Sequence, residues 1–199
     1  MRIYNEFSPS FGAKLQNKVN IAKIVKGSNN YKNEMACFVK IEPENINDIN
    51  TLEKISKYWA DASFAINIYY AASAIRNKSK YYKDHVVFAL TTQKSDFDKL
   101  DEGKVLGLIH TVDMKNWTQF IEHLQVNPKY IYKTDSEYKG IGTGIINSIK
   151  DICSKITCFP LNSKSVKNFY TKNGFYEEHE HSNAYVWYKD IMETIFRYQ

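Results

Sequence analysis

The residues with the clearest chemical potential are three glycines within the five-residue segment Gly140-Ile141-Gly142-Thr143-Gly144, which precedes a predicted helix. Glycine accepts positive φ and lets a ligand approach the main chain closely. The free N–H groups of a first helical turn, together with the helix dipole, favour an anion such as phosphate. The segment lacks the Gly-Lys-Ser/Thr of a P-loop and the spacing of the dinucleotide fingerprint. It therefore predicts either another kind of phosphate site or a glycine-rich helix start without a ligand.

Histidine and cysteine give a weaker signal. His179 and His181 would share one face of a strand, so two imidazoles could approach a metal ion. No third ligand stands near them in the sequence, and we expect no metal site. The cysteines Cys37, Cys153 and Cys158 show no metal-binding spacing, and we interpret them as reduced residues in or near the core.

Hydrophobic periodicity predicts the elements that position these residues. Predicted strands cover 35–41, 85–92, 104–112, 117–126, 156–161, 175–178 and 184–188, and predicted helices cover 46–55, 64–75, 145–152, 163–173 and 191–199. This order predicts one mixed α/β (α+β) domain over 35–199, preceded by an N-terminal extension over 1–34. Within the extension, residues 12–27 fit either a basic amphipathic helix or an extra hairpin.

The composition is that of a soluble globular protein, since 43% of the 199 residues are hydrophobic and 25% are charged. No apolar run approaches the ~20 residues that cross a bilayer. The first residues lack the apolar stretch of a secretory signal, so a cytoplasmic location is expected. Scattered lysines carry the net charge of +5, which argues against a nucleic-acid partner. We also expect no membrane partner.

Three segments, in this order along the chain, resemble the GCN5-related N-acetyltransferases (GNATs). Leu124-x-Val126-x-Pro128 is similar to the end of the family's fourth strand, and residues 140–146 are similar to its acetyl-CoA pyrophosphate loop. Phe169-Tyr170-x-Lys172-x-Gly174-Phe175 resembles its final helix and strand. The resemblance covers about residues 104–189, and 35–103 fit by the order of elements. It implies a GNAT-like mixed, mostly antiparallel central sheet flanked by helices.

The same resemblance implies an activity and a site. The activity is direct transfer of an acetyl group from acetyl-CoA to a primary amine in a ternary complex, without a metal. Tyr170 would protonate the leaving sulfur. The implied cofactor-binding residues are Leu124, Val126, Lys139, Gly140, Ile141, Gly142, Thr143, Gly144, Asn162 and Asn168.

Two features depart from the family pattern. Glu137 stands where the family usually has Arg or Gln, and its charge would repel a phosphate. We expect Lys139 or Lys133 to supply the missing cation. The stretch from Pro128 to Gly140 is also longer than usual and is expected to reshape the entrance for the cofactor.

The reaction requires a general base, because an amine with a pKa near ~10 is mostly protonated at neutral pH. We favour Glu122 for this role and place His123 second, since both lie on the strand beside the expected thioester. Alternation along a strand puts these two side chains on opposite faces, so one of them should face the cleft. A bulge in this strand would change that assignment.

The acceptor amine is expected to belong to a small molecule or a peptide. Its site should involve residues 56–78, with Trp59, Tyr69 and Tyr70, and the acidic segment 177–183, which suits a cationic acceptor. A homodimer is compatible with the sequence. The alternative function is a catalytically weak or inactive acyl-CoA-binding or interaction protein of the same fold.

Overall fold

The computed structural model describes residues 12–25, 27–28, 30–59, 63–131, 136–179 and 183–189. The elements in chain order are β1 (Lys14–Ile24), β2 (Tyr31–Lys40), α1 (Ile46–Tyr58), α2 (Ser63–Arg76), β3 (His85–Thr91), β4 (Val105–Asp113), β5 (Thr118–Val126), β6 (Tyr138–Lys139), α3 (Ile141–Ile152), β7 (Lys155–Cys158), α4 (Lys164–Lys172), β8 (Tyr176–Glu177) and β9 (Tyr185–Tyr188). The predicted C-terminal helix over 191–199 lies outside the described residues.

The nine strands of the described ranges form one sheet in the order β6-β1-β2-β3-β4-β5-β7-β9-β8. Neighbouring strands are antiparallel except β5 and β7, which are parallel. Helices α3 and α4 cover one face of the sheet, and α1 and α2 cover the other. The predicted fold class, a mixed and mostly antiparallel sheet flanked by helices, is therefore confirmed. Among the described helices, none combines the length and apolarity that a membrane crossing requires.

Strand β2 shows how the sequence builds a core on each face. Ala36 and Phe38 lie in the core beneath α3, whereas Cys37 and Val39 lie in the core beneath α1 and α2. All four side chains are fully buried. This strand is apolar at consecutive positions because both of its faces are covered by helices.

Residues 12–27, which fit either a basic amphipathic helix or an extra hairpin by sequence, contain the strand β1. β1 pairs with β2 from Lys14 to Ile24, and its other edge pairs with the short strand β6. β1 therefore lies inside the sheet, between β2 and the residues just before α3. The predicted boundary between an extension and a domain at residue 35 stays a prediction.

The sheet opens between its two parallel strands. β5 and β7 pair from Thr118 with Lys155 to Ile121 with Cys158. β7 then ends, two residues before Pro160, which cannot donate a ladder hydrogen bond. β5 continues to Val126 along β4. On the side of β7, residues 122–126 consequently border a gap in the sheet.

Candidate functional site

Helix α3 begins with N–H groups that the helix itself does not use. Gly140, in the left-handed conformation with φ of 75°, precedes the helix, and no side chain of the described residues caps it. The first helical hydrogen bond runs from Gly144 N–H to the Gly140 carbonyl at 2.8 Å. The N–H groups of residues 141–143 are therefore outside the helical hydrogen-bond pattern. With no acidic residue in this turn, it is suited to an anion such as phosphate.

A groove leads away from this turn, between β5 and α4. Its first part is a cavity of about 550 Å³ bounded at one end by residues 139–143. Its second part is a cavity of about 320 Å³ that reaches Glu122, His123 and Tyr170. The two cavities adjoin, because both are lined by Phe64, Leu124, Leu161, Val166 and Phe169. We call the combined space the groove.

Gly142 sets the width of the groove near the turn. A Cβ atom at this position would lie 3.1 Å and 3.2 Å from two ring atoms of Phe169 and 3.7 Å from a methyl group of Val126. A larger side chain would fill the space between the helix and β5. The groove is therefore open here because the residue is glycine.

Gly144 has a different neighbourhood. Its Cβ position faces the sheet, 3.2 Å from a methyl group of Ile21 and 3.5 Å from methyl groups of Leu90 and Val19. Gly144 is buried and does not line the groove. The missing side chain lets α3 pack closely on β1 and β3, which is a structural use of glycine.

Strand β5 carries a bulge at the inner end of the groove. His123 is opposite His110 on β4, and Ile121 is opposite Thr111, so Glu122 is the extra residue without a partner. Both Glu122 and His123 line the groove, although regular alternation would have placed them on opposite faces. The strand therefore has the bulge that would change the alternation expected from the sequence, and this bulge brings both candidate bases to the cavity.

The electrostatic surroundings of these two residues are linked. Burial lowers the pKa values of His123 and His85 and is the larger effect. The negative charge of Glu122 acts in the opposite direction and raises both pKa values. Glu122 itself is exposed. An exposed carboxylate and a half-buried neutral imidazole therefore stand side by side where the groove ends.

Tyr170 lies on α4 at the same end of the groove, and it is 7% exposed. Burial and a hydrogen bond with Cys158 raise its pKa well above the usual value near 10. The pKa of the Cys158 thiol is in turn raised to about 12, chiefly by burial. Both groups are therefore protonated at neutral pH, so Tyr170 can donate a proton and Cys158 is a poor nucleophile.

Solved structures resemble this chain, although no family model and no curated protein sequence matches it. A Desulfovibrio desulfuricans protein assigned to the GNAT acetyltransferases has 10% identity, covers 77% of this chain and 98% of its own, and gives a TM-score of 0.50. The chain has the GNAT fold. An Exiguobacterium sp. 255-15 protein assigned to the acetyltransferases has 14% identity, coverage of 80% and 97%, and a TM-score of 0.49. Campylobacter jejuni N-acetyltransferase PseH, solved with acetyl coenzyme A, has 15% identity, coverage of 76% and 97%, and a TM-score of 0.49.

On this GNAT fold, Glu137 does not face the groove. Its carboxylate lies 3.9 Å from Lys23 Nζ on β1, and its carbonyl accepts the N–H of Ile24. Glu137 is not among the lining residues, whereas Lys139 is. The repulsion expected from Glu137 is therefore reduced by an ion pair that turns it toward β1. Lys133, the other proposed cation, lies outside the described residues.

The other predicted cofactor-binding residues divide into two groups. Leu124 and Val126 line the groove from the open edge of β5, together with residues 140–143. Asn162 and Asn168 are exposed and do not line it. Residues 139–143 thus line one end of the groove, and Tyr170 lines the other end with the two candidate bases.

The walls of the groove are residues that the sequence analysis missed. Phe64 comes from α2, Leu161 follows β7, and Val166 and Phe169 come from α4. Phe169 stood in the segment that resembles the family's final helix and strand, but without a role in the groove. The sequence signal for Phe64, Leu161 and Val166 was their apolar character, which they share with the core. Their common position depends on the opening of the sheet.

The predicted acceptor residues are dispersed. Trp59 is buried in the core beneath α1 and α2, and Tyr70 is exposed. In the acidic segment, Glu178 pairs with Lys155 at 3.6 Å and Glu177 accepts the N–H of Asn183 at 3.3 Å. Glu180 and His181 lie outside the described residues. Among the residues that are described, no group of three or more His, Cys, Asp or Glu is arranged for a metal ion.

Proposed function

We propose that this protein transfers an acetyl group from acetyl-CoA to a primary amine. The observation that carries the proposal is the groove itself. It joins a helix start with free N–H groups to a protonated tyrosine and to two candidate bases, along an apolar path beside the open edge of β5. A long cofactor with a diphosphate, a flexible arm and a reactive thioester matches those features in that order.

The residues present fit acetyl-CoA, because the glycine at position 142 leaves open the space that any side chain would fill. We infer that the N–H groups of residues 141–143 hold the diphosphate. The Lys139 ammonium lies 4.4 Å from the centre of the Tyr31 ring and would turn from there to contribute the positive charge. The backbone of Leu124 and Val126 would bind the pantetheine arm at the open edge of β5. Acetyl-CoA supplies the activated acetyl group as a thioester.

The proton chemistry is assigned to the inner end of the groove. The acceptor amine arrives protonated and must lose a proton before it attacks. We propose that Glu122 and His123 act there as a pair, with one receiving the proton and the other supporting it. Tyr170, whose pKa is raised, would give a proton to the leaving sulfur. A covalent acetyl-cysteine is disfavoured, because Cys158 is protonated at neutral pH.

Binding and turnover test the proposal separately. Acetyl-CoA at about one hundred times its Kd should stabilise the folded protein by about 2.7 kcal/mol, which a thermal-shift assay detects. Release of free CoA thiol with a panel of amines should then exceed hydrolysis without an amine. Absence of stabilisation would contradict the proposal. Stabilisation without thiol release for any amine would leave a cofactor-binding protein of the same fold.

Glu122→Gln separates the two candidate bases. If His123 takes the proton, the loss of the nearby negative charge lowers the pKa of His123 further. The acidic limb of kcat/KM against pH should then move to lower pH, while activity at high pH is largely retained. If Glu122 takes the proton, kcat should fall by about 10²-fold at all pH values. Asp113→Asn, at the exposed end of β4, is the matched control and should leave the profile unchanged.

A further inference from the structure

Three histidines on three neighbouring strands form a continuous line of contacts. His85 Nδ1 lies 2.7 Å from His110 Nε2, and His110 Nδ1 lies 3.3 Å from His123 Nδ1. The ring centroids are 4.9 Å and 5.6 Å apart. His110, in the middle, is 3% exposed, whereas His85 and His123 are half-buried. The line thus begins at the groove and reaches solvent at its other end.

The fold places these rings side by side by strand register. His110 is opposite His123 on β5, and on its other side it is opposite Val87, two residues along β3 from His85. The bulge at Glu122 keeps His123 on the face that α2 covers, where Phe64 lies 5.2 Å from its ring. The contacts therefore result from the same irregularity that shapes the inner end of the groove.

The direction of the hydrogen bonds follows from Asn67 on α2. Its amide nitrogen, which can only donate, lies 3.3 Å from His123 Nε2. A neutral imidazole has one N–H and one bare nitrogen, so His123 then donates from Nδ1 to His110 Nδ1. In the same order of tautomers, His110 would donate from Nε2 to His85 Nδ1, and His85 would keep its N–H on Nε2.

Burial favours the neutral form of all three rings at neutral pH. Burial lowers their pKa values, and that of His110 is lowered to about 3. The charged and titratable groups that face the line are Glu122 on β5, Asp84 before β3 and the ring of Tyr82, 4.5 Å from His85. His110 consequently does not carry a positive charge at neutral pH. It can accept a proton on one ring nitrogen only if it releases the proton from the other.

We infer that His110 and His85 form a proton relay that connects His123, at the acceptor end of the groove, to solvent. This inference rests on the proposed acetyl transfer. His123 Nε2 carries no hydrogen and lies at the groove. An acceptor ammonium that replaces the Asn67 amide as its hydrogen-bond partner can therefore give it a proton. His110 and His85 are positioning residues for that proton rather than groups that touch the substrate.

The proton balance of the relay is complete. The ammonium gives one proton to His123 Nε2, His123 passes its Nδ1 proton to His110, His110 passes its Nε2 proton to His85, and His85 releases its Nε2 proton to water. The amine attacks, its second proton goes to the CoA sulfur by way of Tyr170, and one proton in total reaches solvent. Between turnovers a proton enters at His85 and another leaves His123 into the open groove, which restores the starting tautomers.

His85→Gln and His110→Gln test the relay in the full-length protein. Both should lower kcat about 10-fold or more, with an altered pH profile between about pH 5 and about pH 9, while the Kd of acetyl-CoA is unchanged. Imidazole in the buffer should partly restore the kcat of His85→Gln, because the His85 end of the line is open to solvent. Lys83→Gln, an exposed neighbour, is the control. Variants that fold and bind acetyl-CoA as the wild type does, with unchanged kcat and pH profile, would overturn the relay.

A second measurement keeps the relay distinct from the proposed function. If the wild type acetylates no amine, the proposed function fails on that result alone. Nitrogen NMR of the histidine side chains then tests the hydrogen-bond line without turnover. The relay requires the N–H on Nδ1 of His123 and on Nε2 of His110 and His85, and the opposite or mixed tautomers would overturn it.

Discussion

Replacement of Tyr170 by Phe should lower kcat by about 10²-fold or more, while the Kd of acetyl-CoA changes by less than about twofold. The variant removes only the hydroxyl, which hydrogen-bonds with Cys158 at the inner end of the groove. The ring keeps its edge-on contacts with Phe169 and Phe175, whose centroids lie 5.1 Å and 5.2 Å away. The shape of the groove should therefore persist. Under the proposed mechanism, the loss of rate should be confined to the transfer of a proton from Tyr170 to the sulfur.

The matched control is Tyr176→Phe, because Tyr176 is exposed and does not line the groove. It should leave both kcat and the Kd of acetyl-CoA unchanged. Steady-state kinetics and calorimetric titration measure the two quantities. An unchanged kcat in Tyr170→Phe would remove Tyr170 from the mechanism, and a large loss of affinity would show that its hydroxyl serves binding instead.

Gly142→Leu should affect binding instead of the chemical step, because the leucine side chain would obstruct the groove and leave Tyr170 and the two candidate bases unchanged. Even a Cβ atom at this position would lie 3.1 Å from the Phe169 ring, and a leucine extends further into the space beside Val126. We expect the Kd of acetyl-CoA to weaken at least tenfold, which corresponds to about 1.4 kcal/mol or more of binding free energy. Thermal shift with and without acetyl-CoA gives the affinity and the stability of the variant together.

Asn147→Leu serves as its control, because Asn147 lies on the exposed face of the same helix. The same leucine placed there should leave acetyl-CoA binding unaltered. If Gly142→Leu binds acetyl-CoA as tightly as the wild type does, the cofactor does not pass this turn, and the assignment of residues 140–143 is wrong.

The sequence predicted most of the fold where periodicity was strong. Helix α3 presents Ile145, Ile146 and Ile149 to the core at helical spacing, and all three are fully buried there. β1 was ambiguous because most of its side chains are exposed or half-buried, so its apolar residues do not form a clear alternating face. β6 has two residues and depends on its pairing with β1, which no local pattern indicates.

The site was predictable only where one segment carries the information. Residues 140–143 follow one another in a turn, so their joint position at the groove was evident from the glycine spacing. Phe64 and Phe169 line the same groove at the gap between β5 and β7, and that gap is a property of the sheet. The contacts of His110 with His85 and His123 likewise depend on strand register and on one bulge.

The pairing of β1 with β6 has a practical consequence for anyone who shortens this protein. Removal of residues before 35 would delete β1 and the first residues of β2, and it would leave one edge of the rest of β2 without its partner. It would also take away Lys23, the counter-ion of Glu137, and the strand that anchors the two residues ahead of α3. A truncated version should aggregate through its bared strand edge. If the proposed acetyl-CoA site is correct, it should also bind that nucleotide less tightly, even though every residue of the glycine turn would still be there.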